Sequence, residues 1–177
     1  MIVENIEDKA LLNIELNDGI GTDKEIIGTF VKNTAKLSIQ NVNHQYDNLK
    51  DKYISIKNFG SWFVYDLVND EDATEAQLSL YDISNKFDKE YNAELYSFPC
   101  TFGEWATKIG ETVGVPLEGT FLNYNLELKE APFLGTNPSN RDAVKFIAKY
   151  ASGYAQINSN DTYSIRWFDK TIYEIED

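Results

Sequence analysis

The hydrophobic period of the chain changes part-way along. From residue 10 to residue 81 apolar and polar positions alternate over short runs, the pattern of strands with one buried and one solvated face. Residues 10–16 (ALLNIEL) make the first run, and Asn17, Asp18 and Gly19 after it are turn residues. Residues 26–31 (IIGTFV) and 35–42 (AKLSIQNV) follow. In the second of these, Leu37 and Ile39 face one way while Lys36, Ser38 and Gln40 face the other. Residues 53–56 and 61–68 flank Lys57, Asn58, Phe59 and Gly60 and predict a hairpin. Its second arm, SWFVYDLV, is apolar nearly throughout, which predicts burial on both faces or a place at an interface. Trp62, Phe63, Val64 and Tyr65 are therefore the candidate interface residues. Residues 76–81 (AQLSLY) alternate again, and residues 82–88 predict one helical turn with Phe87 packing down. Short strands at this regular spacing predict a small barrel or sandwich.

Beyond residue 95 the period lengthens to that of a helix. Residues 101–104 (TFGE) form a capping box with Thr101 as N-cap and Glu104 three positions on. Phe102, Trp105, Ala106, Ile109 and Val113 recur at intervals of three and four, and Gly114 and Pro116 end the element. Residues 120–128 (TFLNYNLEL) alternate and predict a strand. Ser139 caps a second helix, with Asp142 favourable at its N-terminus and Ala143, Val144, Ile147, Ala148 and Ala151 as its apolar stripe. Gly153 is the expected left-handed stop. Residues 154–158 and 162–168 then alternate as strands around the turn residues Ser159, Asn160 and Asp161. Residues 170–177 predict a final strand or tail. The fold class expected is α+β: a small, mostly antiparallel β-barrel or sandwich half over residues 1–92, then an α+β half over residues 93–177 with two capped helices and a β-hairpin.

Composition narrows the function. The chain has 177 residues, 42% of them hydrophobic, enough for a real core. Lys and Arg number 16 against 29 Asp and Glu, a formal charge of −13. Binding through a phosphate backbone or an anionic membrane needs basic patches, so this balance argues against both. The N-terminal MIVENIEDKA is acidic and lacks the apolar run of a signal peptide, and no apolar segment approaches a membrane span, so a soluble chain with no targeting address is expected.

Candidates for chemistry fall away in turn. Cys100 is the single cysteine, so no internal disulfide is possible, and the one His, His44, is too far along the chain to pair with it by local spacing. A helix N-terminus just after Cys100 would lower its pKa, yet a structural thiol is the favoured reading. The acidic groups Glu71 with Asp72, Asp66 with Asp70, and Asp18 with Asp23 and Glu25 all lie in polar loops and read as solvated charge. Residues 158–161 lack the spaced ligands, glycine and closing Glu of a calcium loop. No nucleophile elbow or glycine-rich phosphate loop occurs. The sequence thus predicts no catalytic residue, no cofactor and no metal. Trp62, Trp105 and Trp167, with 11 Tyr, suggest an alternative reading as a carbohydrate-binding β-rich module. Core placement is expected for Trp105 on its helical stripe and is favoured for the other two.

Several stretches together resemble one family. NRDAVKFIAKYASGYAQINSNDTYSIRWF looks like the helix, glycine, aromatic, strand, turn, strand signature of tail hub proteins from siphophages and prophages of Gram-positive bacteria. LSLYDISNKFDKEY and YSFPCTFGEWATKIGETVGVPL are similar to that family's strand passage and first helix, and KLSIQNVN and IKNFGSWFVYDLV to its barrel strands. The resemblance runs from about residue 26 to residue 168. It implies a non-enzymatic structural protein of the tail tip, a baseplate hub. The hub is a trimer whose barrels form a pseudo-sixfold ring, joined to other tail proteins in the virion and made in the cytoplasm of the bacterial host. Family members are usually longer, which implies a fragment or a short member here. A ring that conducts DNA without binding it gives the acidic charge a purpose.

Overall fold

The computed structural model describes residues 3–5, 10–17, 27–72, 74–132 and 134–167. Its first half is a curled sheet built from β1 (Val3–Asn5), β2 (Leu11–Asn17), β3 (Thr34–Gln40), β4 (Tyr53–Ile56), β5 (Gly60–Asn69) and β6 (Glu75–Asp82). The order across the sheet is β1-β4-β5-β6-β3-β2. Only β1 joins in parallel, on β4; the other five strands are antiparallel and form a half-barrel. Alternation sets its core. Leu37 pairs with Leu78, Leu78 with Leu67, and Val64 with Leu80, all on the concave side. Ile39, Leu49, Ile54 and Trp62 belong to the same cluster. Residues 26–31 make no full strand: among the described ones, Phe30 forms a single parallel bridge to Ala155.

A short 3-10 turn, Ile83–Asp88, leaves the sheet with Phe87 fully buried, as its spacing predicts. Next come β7 (Cys100–Thr101), α1 (Phe102–Val113), β8 (Glu127–Leu128), α2 (Asn140–Tyr150), β9 (Gly153–Ile157) and β10 (Tyr163–Trp167). Both capping boxes are formed. Thr101 Oγ1 accepts from the Glu104 amide at 3.1 Å while Glu104 accepts from the Thr101 amide at 2.7 Å. Ser139 and Asp142 do the same for α2. Gly114 closes α1 in the left-handed region at φ 71. A second apolar cluster fills this half, with Phe102, Trp105, Ile109, Val144, Ile147 and Tyr163 at its centre, and Phe30, Ile83 and Phe87 join it from the first half of the chain.

Two further expectations need correction. Residues 120–128 do not form a strand; residues 122–125 turn, and only Glu127–Leu128 pairs, with β7. The reason lies in α1. Its first two amides have no helical partner, and the loop supplies them: the Phe102 amide donates to Leu126 O at 3.0 Å and the Gly103 amide to Tyr124 O at 2.8 Å. Gly153 is not the helix stop either. Ser152 takes the positive φ, 54°, and Gly153 opens β9, buried against β10. Asp18, Gly19, Asp23, Glu25, Phe168 and residues 170–177 lie outside the described residues. No helix among those described is long and apolar enough to cross a membrane.

Candidate interaction surface

The pleat divides the four candidate interface residues. Trp62 and Val64 point into the half-barrel, with Trp62 only 6% exposed and its indole donating to Phe59 O at 2.9 Å. Phe63 and Tyr65 point outward. Phe63 pairs across the sheet with Tyr53 on one side and Tyr81 on the other, and its ring lies 5.2 Å from that of Tyr53. A bulge follows, because Val64 pairs with Leu80 but Asp66 with Ser79, leaving Tyr65 as the extra residue. The bulge lays Tyr65 onto Tyr81, rings stacked at 4.1 Å. Tyr53 with Phe63, and Tyr65 with Tyr81, thus make two aromatic pairs on the outward face of neighbouring strands, with Tyr53 also packed against the second apolar cluster. A lysine lies over one ring of each pair: Lys32 Nζ sits 3.8 Å from the Tyr81 ring and Lys86 Nζ 5.4 Å from the Tyr53 ring. Burial holds the Lys86 ammonium below its ordinary pKa.

A polar junction ties the two cores together. Arg141 on α2 reaches back to donate to Asp88 Oδ1 at 2.5 Å, Ser84 O at 2.7 Å and Phe30 O at 3.3 Å, and its guanidinium covers the Phe30 ring at 4.8 Å. Asp82 is buried beside it and accepts from the amides of Asn33 and Ser84. Further along, Asp161 in the β9–β10 turn accepts from both the amide and the hydroxyl of Ser61 at 2.6 Å. Gly60 fits there because a Cβ would stand 2.8 Å from Ser159 O, and because its φ is +76.

Trp105 is fully buried, as expected, and donates to the Tyr91 hydroxyl at 3.1 Å. Trp167 is different. It is 47% exposed at the end of β10. A groove of about 820 Å³ lies over the outer face of the β9–β10 hairpin, with Glu118, Gln156, Asn160, Ser164, Arg166 and Trp167 among its lining. Glu118 is held there by three donors, Thr162 Oγ1 at 2.5 Å, Asn158 Nδ2 at 2.8 Å and Asn160 Nδ2 at 3.2 Å. A second hollow, of about 610 Å³, has Phe121, Leu122, Tyr124 and Leu126 in its lining. Both share Thr120 and Trp167. The sequence names Trp167 as a possible sugar-stacking residue and favours a core place for it; the structure buries Trp62 and Trp105 and leaves Trp167 exposed.

Burial, and then the neighbouring Glu104, raise the Cys100 thiol, so the helix N-terminus does not activate it. No group of acidic, His or Cys side chains among the described residues is arranged to hold a metal. The carboxylates do predict a pH dependence. Glu104 is held below its ordinary pKa by the Thr101 amide and hydroxyl, and Glu118 by Thr162, Asn160 and Asn158. For Asp142 burial pushes up, but the Ser139 amide and hydroxyl outweigh it. Depressed groups stabilise the fold above the unfolded carboxylate pKa, about 4, and lose that contribution as pH falls. Asp82 has the opposite sign: burial raises it, so its contribution is present at low pH and is lost as pH rises through its folded value. The depressed groups outnumber it. Urea midpoints should therefore hold from pH 7 to about pH 5 and fall below pH 4, with a shallower fall in Glu118→Gln.

Comparison with known proteins reaches the fold only through structure. No family model matches the sequence, and no curated protein matches it. The fold is similar to that of the tail protein from Neisseria meningitidis MC58, with a TM-score of 0.58 and 12% identity, over 89% of this chain and 46% of that one. It is also similar to the 43 kDa tail protein of prophage MuSo2 from Shewanella oneidensis, with a TM-score of 0.52 and 14% identity, over 89% of this chain and 55% of that one. The chain therefore spans about half the length of these two proteins. Its α+β fold, half-barrel first and capped helices after, is one that it shares with phage tail proteins.

Proposed function

We propose that the chain is a structural, non-enzymatic component of a phage or prophage tail, built into the virion after synthesis in the bacterial host cytoplasm. The observation that carries this is the shared fold, which covers 89% of the chain in two separate tail proteins. The finer reading is a tail-tip hub that assembles with copies of itself, as a trimer, and with other tail proteins. It rests on the sequence resemblance to tail hubs of Gram-positive siphophages. The two apolar clusters support a division into a barrel-like domain and an α+β domain, close to residues 1–92 and 93–177, with Phe30, Ile83, Phe87 and Tyr91 lent across it. Phe63 and Tyr65, with Tyr53 and Tyr81, form the docking surface. Trp62 and Val64 support it from below. Aromatic side chains that are already rigid lose little entropy on association, which suits such a surface to an interface. The charge of −13 lets DNA pass without binding.

Light scattering on the purified chain, alone and mixed with its neighbouring tail proteins, tests the assembly. A Phe63→Ser, Tyr65→Ser variant should keep its circular dichroism and lose its oligomer, with affinity down at least tenfold, about 1.4 kcal/mol. A strict monomer that also ignores every tail protein, or an unchanged oligomer in the variant, would reject the docking surface. Absence of the chain from purified particles would reject the tail assignment itself.

A further inference from the structure

We infer that copies of the chain join head to tail, the acidic tip of the β5–β6 hairpin in one copy seating on the lysine-bearing end of α2 in the next. This rests on the reading above that the chain assembles with copies of itself, and it names the two surfaces that meet.

The tip supplies the negative side. Asp70, Glu71, Asp72 and Glu75 are all exposed there. Asp70 closes the turn, accepting from the Glu75 amide and the Thr74 hydroxyl at 3.1 Å. Glu71, Asp72 and Glu75 have no basic partner among the described residues. Val68 beside them is 59% exposed. It pairs with Gln77, on the opposite side of the sheet from the buried Leu67 and Leu78 pair, so it stands outward as Phe63 does.

The end of α2 supplies the positive side. This helix has Arg141, Lys145 and Lys149 against one acid, Asp142, in a chain of net charge −13. Spacing of four puts the three cations on one side of it. Arg141 is engaged by Asp88 and Ser84, and Asp142 by the Ser139 cap. Lys149 is exposed and has no acidic partner among the described residues. A lysine in the last helical turn also complements the helix dipole, which is reason enough for one cation there. It does not explain the apolar surface beside it. Tyr150 is 50% exposed, and Asn123 Nδ2 donates to Tyr150 O at 2.8 Å. That bond brings the loop of Leu122 and Leu126, both half exposed, to the same end. Each surface therefore sets charges of one sign beside exposed apolar side chains, and the signs are opposite.

Within one chain the two stand at opposite ends. From the Trp62–Asp82 pair to the Asn69–Ala76 pair the β5–β6 hairpin runs about 20 Å. The α+β half joins it at the Asp82 end, where Arg141 reaches Ser84 and Asp161 reaches Ser61. Lys149 lies farther off again. It borders Gly28, whose amide donates to Gly153 O, at the end of β9 remote from the turn that holds Asp161. Complementary surfaces so placed can satisfy each other only between molecules, and the contact that results closes into a ring when its rotation permits.

Sedimentation velocity of the full chain tests this. The wild type should associate with a Kd of about 1–100 µM in about 50 mM NaCl and at least about tenfold more weakly in about 500 mM, where the contact is screened. Glu71→Lys with Asp72→Lys should weaken association at least about tenfold at the lower salt, and so should Lys145→Glu with Lys149→Glu. Lys149→Glu alone replaces the latter pair if circular dichroism shows a loss of helix. All four changes in one chain exchange the two signs and should return the Kd to within about threefold of wild type. General self-repulsion of an acidic chain predicts the reverse, since salt and a less negative tip would both strengthen association. An oligomer indifferent to either reversal overturns this contact and leaves the assembly reading standing. Loss in both variants without recovery in the exchanged chain overturns it too, because the two surfaces would then meet something other than each other. A wild type that stays monomeric at both salts overturns the contact and the trimer together.

Discussion

Trp105→Ala should destabilise the chain by about 3–5 kcal/mol, the usual range for emptying a buried Trp site. For a chain of 177 residues that is a fall in Tm of roughly 6–20 °C. Trp105 is the hub of the second core. It meets Tyr91, Phe98 and Phe146 edge-on at 6.2, 6.1 and 6.1 Å. No single neighbour can move in to fill the space, because the surrounding rings are held by one another. Tyr91 stacks on Tyr96 at 4.8 Å, and Phe146 lies 4.7 Å from Tyr150. Truncation also leaves the Tyr91 hydroxyl, now accepting from the indole, without its donor. Trp105→Phe should recover about half of the loss. A fall below about 1 kcal/mol in Trp105→Ala would show that this core collapses readily and that the rings are not locked.

The second large effect is expected at Gly153. An alanine Cβ there would lie 1.9 Å from Arg166 O, a backbone atom of the paired strand. Nothing flexible is available to give way, so β9 and β10 must part. Gly153→Ala should cost on the order of 3 kcal/mol, comparable to an overpacked core. Gly114 supplies the contrast. Its φ is +71 with nothing within 4 Å of the added Cβ, so Gly114→Ala carries only the left-handed penalty, about 1–2 kcal/mol. Thermal melts of the two variants separate the reasons: Gly153 is required for space and Gly114 for its backbone conformation. Equal losses would contradict that assignment.

Legibility in the sequence followed the range of the interactions. Both capped helices could be read because Thr101 with Glu104 and Ser139 with Asp142 are each three residues apart. The strands of the half-barrel could be read because alternation is local too. The same alternation misled at residues 120–128, where the pattern is right for a strand but the backbone carbonyls are taken by the first amides of α1. At β5 the apolar run was recognised, yet the run alone gives no bulge. The bulge, which depends on the partner strand, is what sends Tyr65 outward onto Tyr81. Arg141 gave no sequence signal at all. Its partners Ser84 and Phe30 stand 57 and 111 residues away, beyond any local pattern. For Trp167 the alternation favours a core place, whereas the structure leaves it exposed at the end of β10, where what lies over a strand's last residue is set by distant segments.

The bridge between Phe30 and Ala155 has a consequence for synthesis. A chain made from its N-terminus delivers Phe30 first, Phe87 next and the β9–β10 hairpin last, yet all three belong to one core. The half-barrel cluster draws on no described residue beyond Leu80, so it can close while the rest is still being translated. The aromatic pieces of the second core have to wait. Closing so long a loop costs little more entropy than closing a shorter one, but it comes late. Until the last hairpin emerges, the nascent chain therefore carries a finished half-barrel with two unburied phenylalanines beside it, the kind of species that chaperones hold.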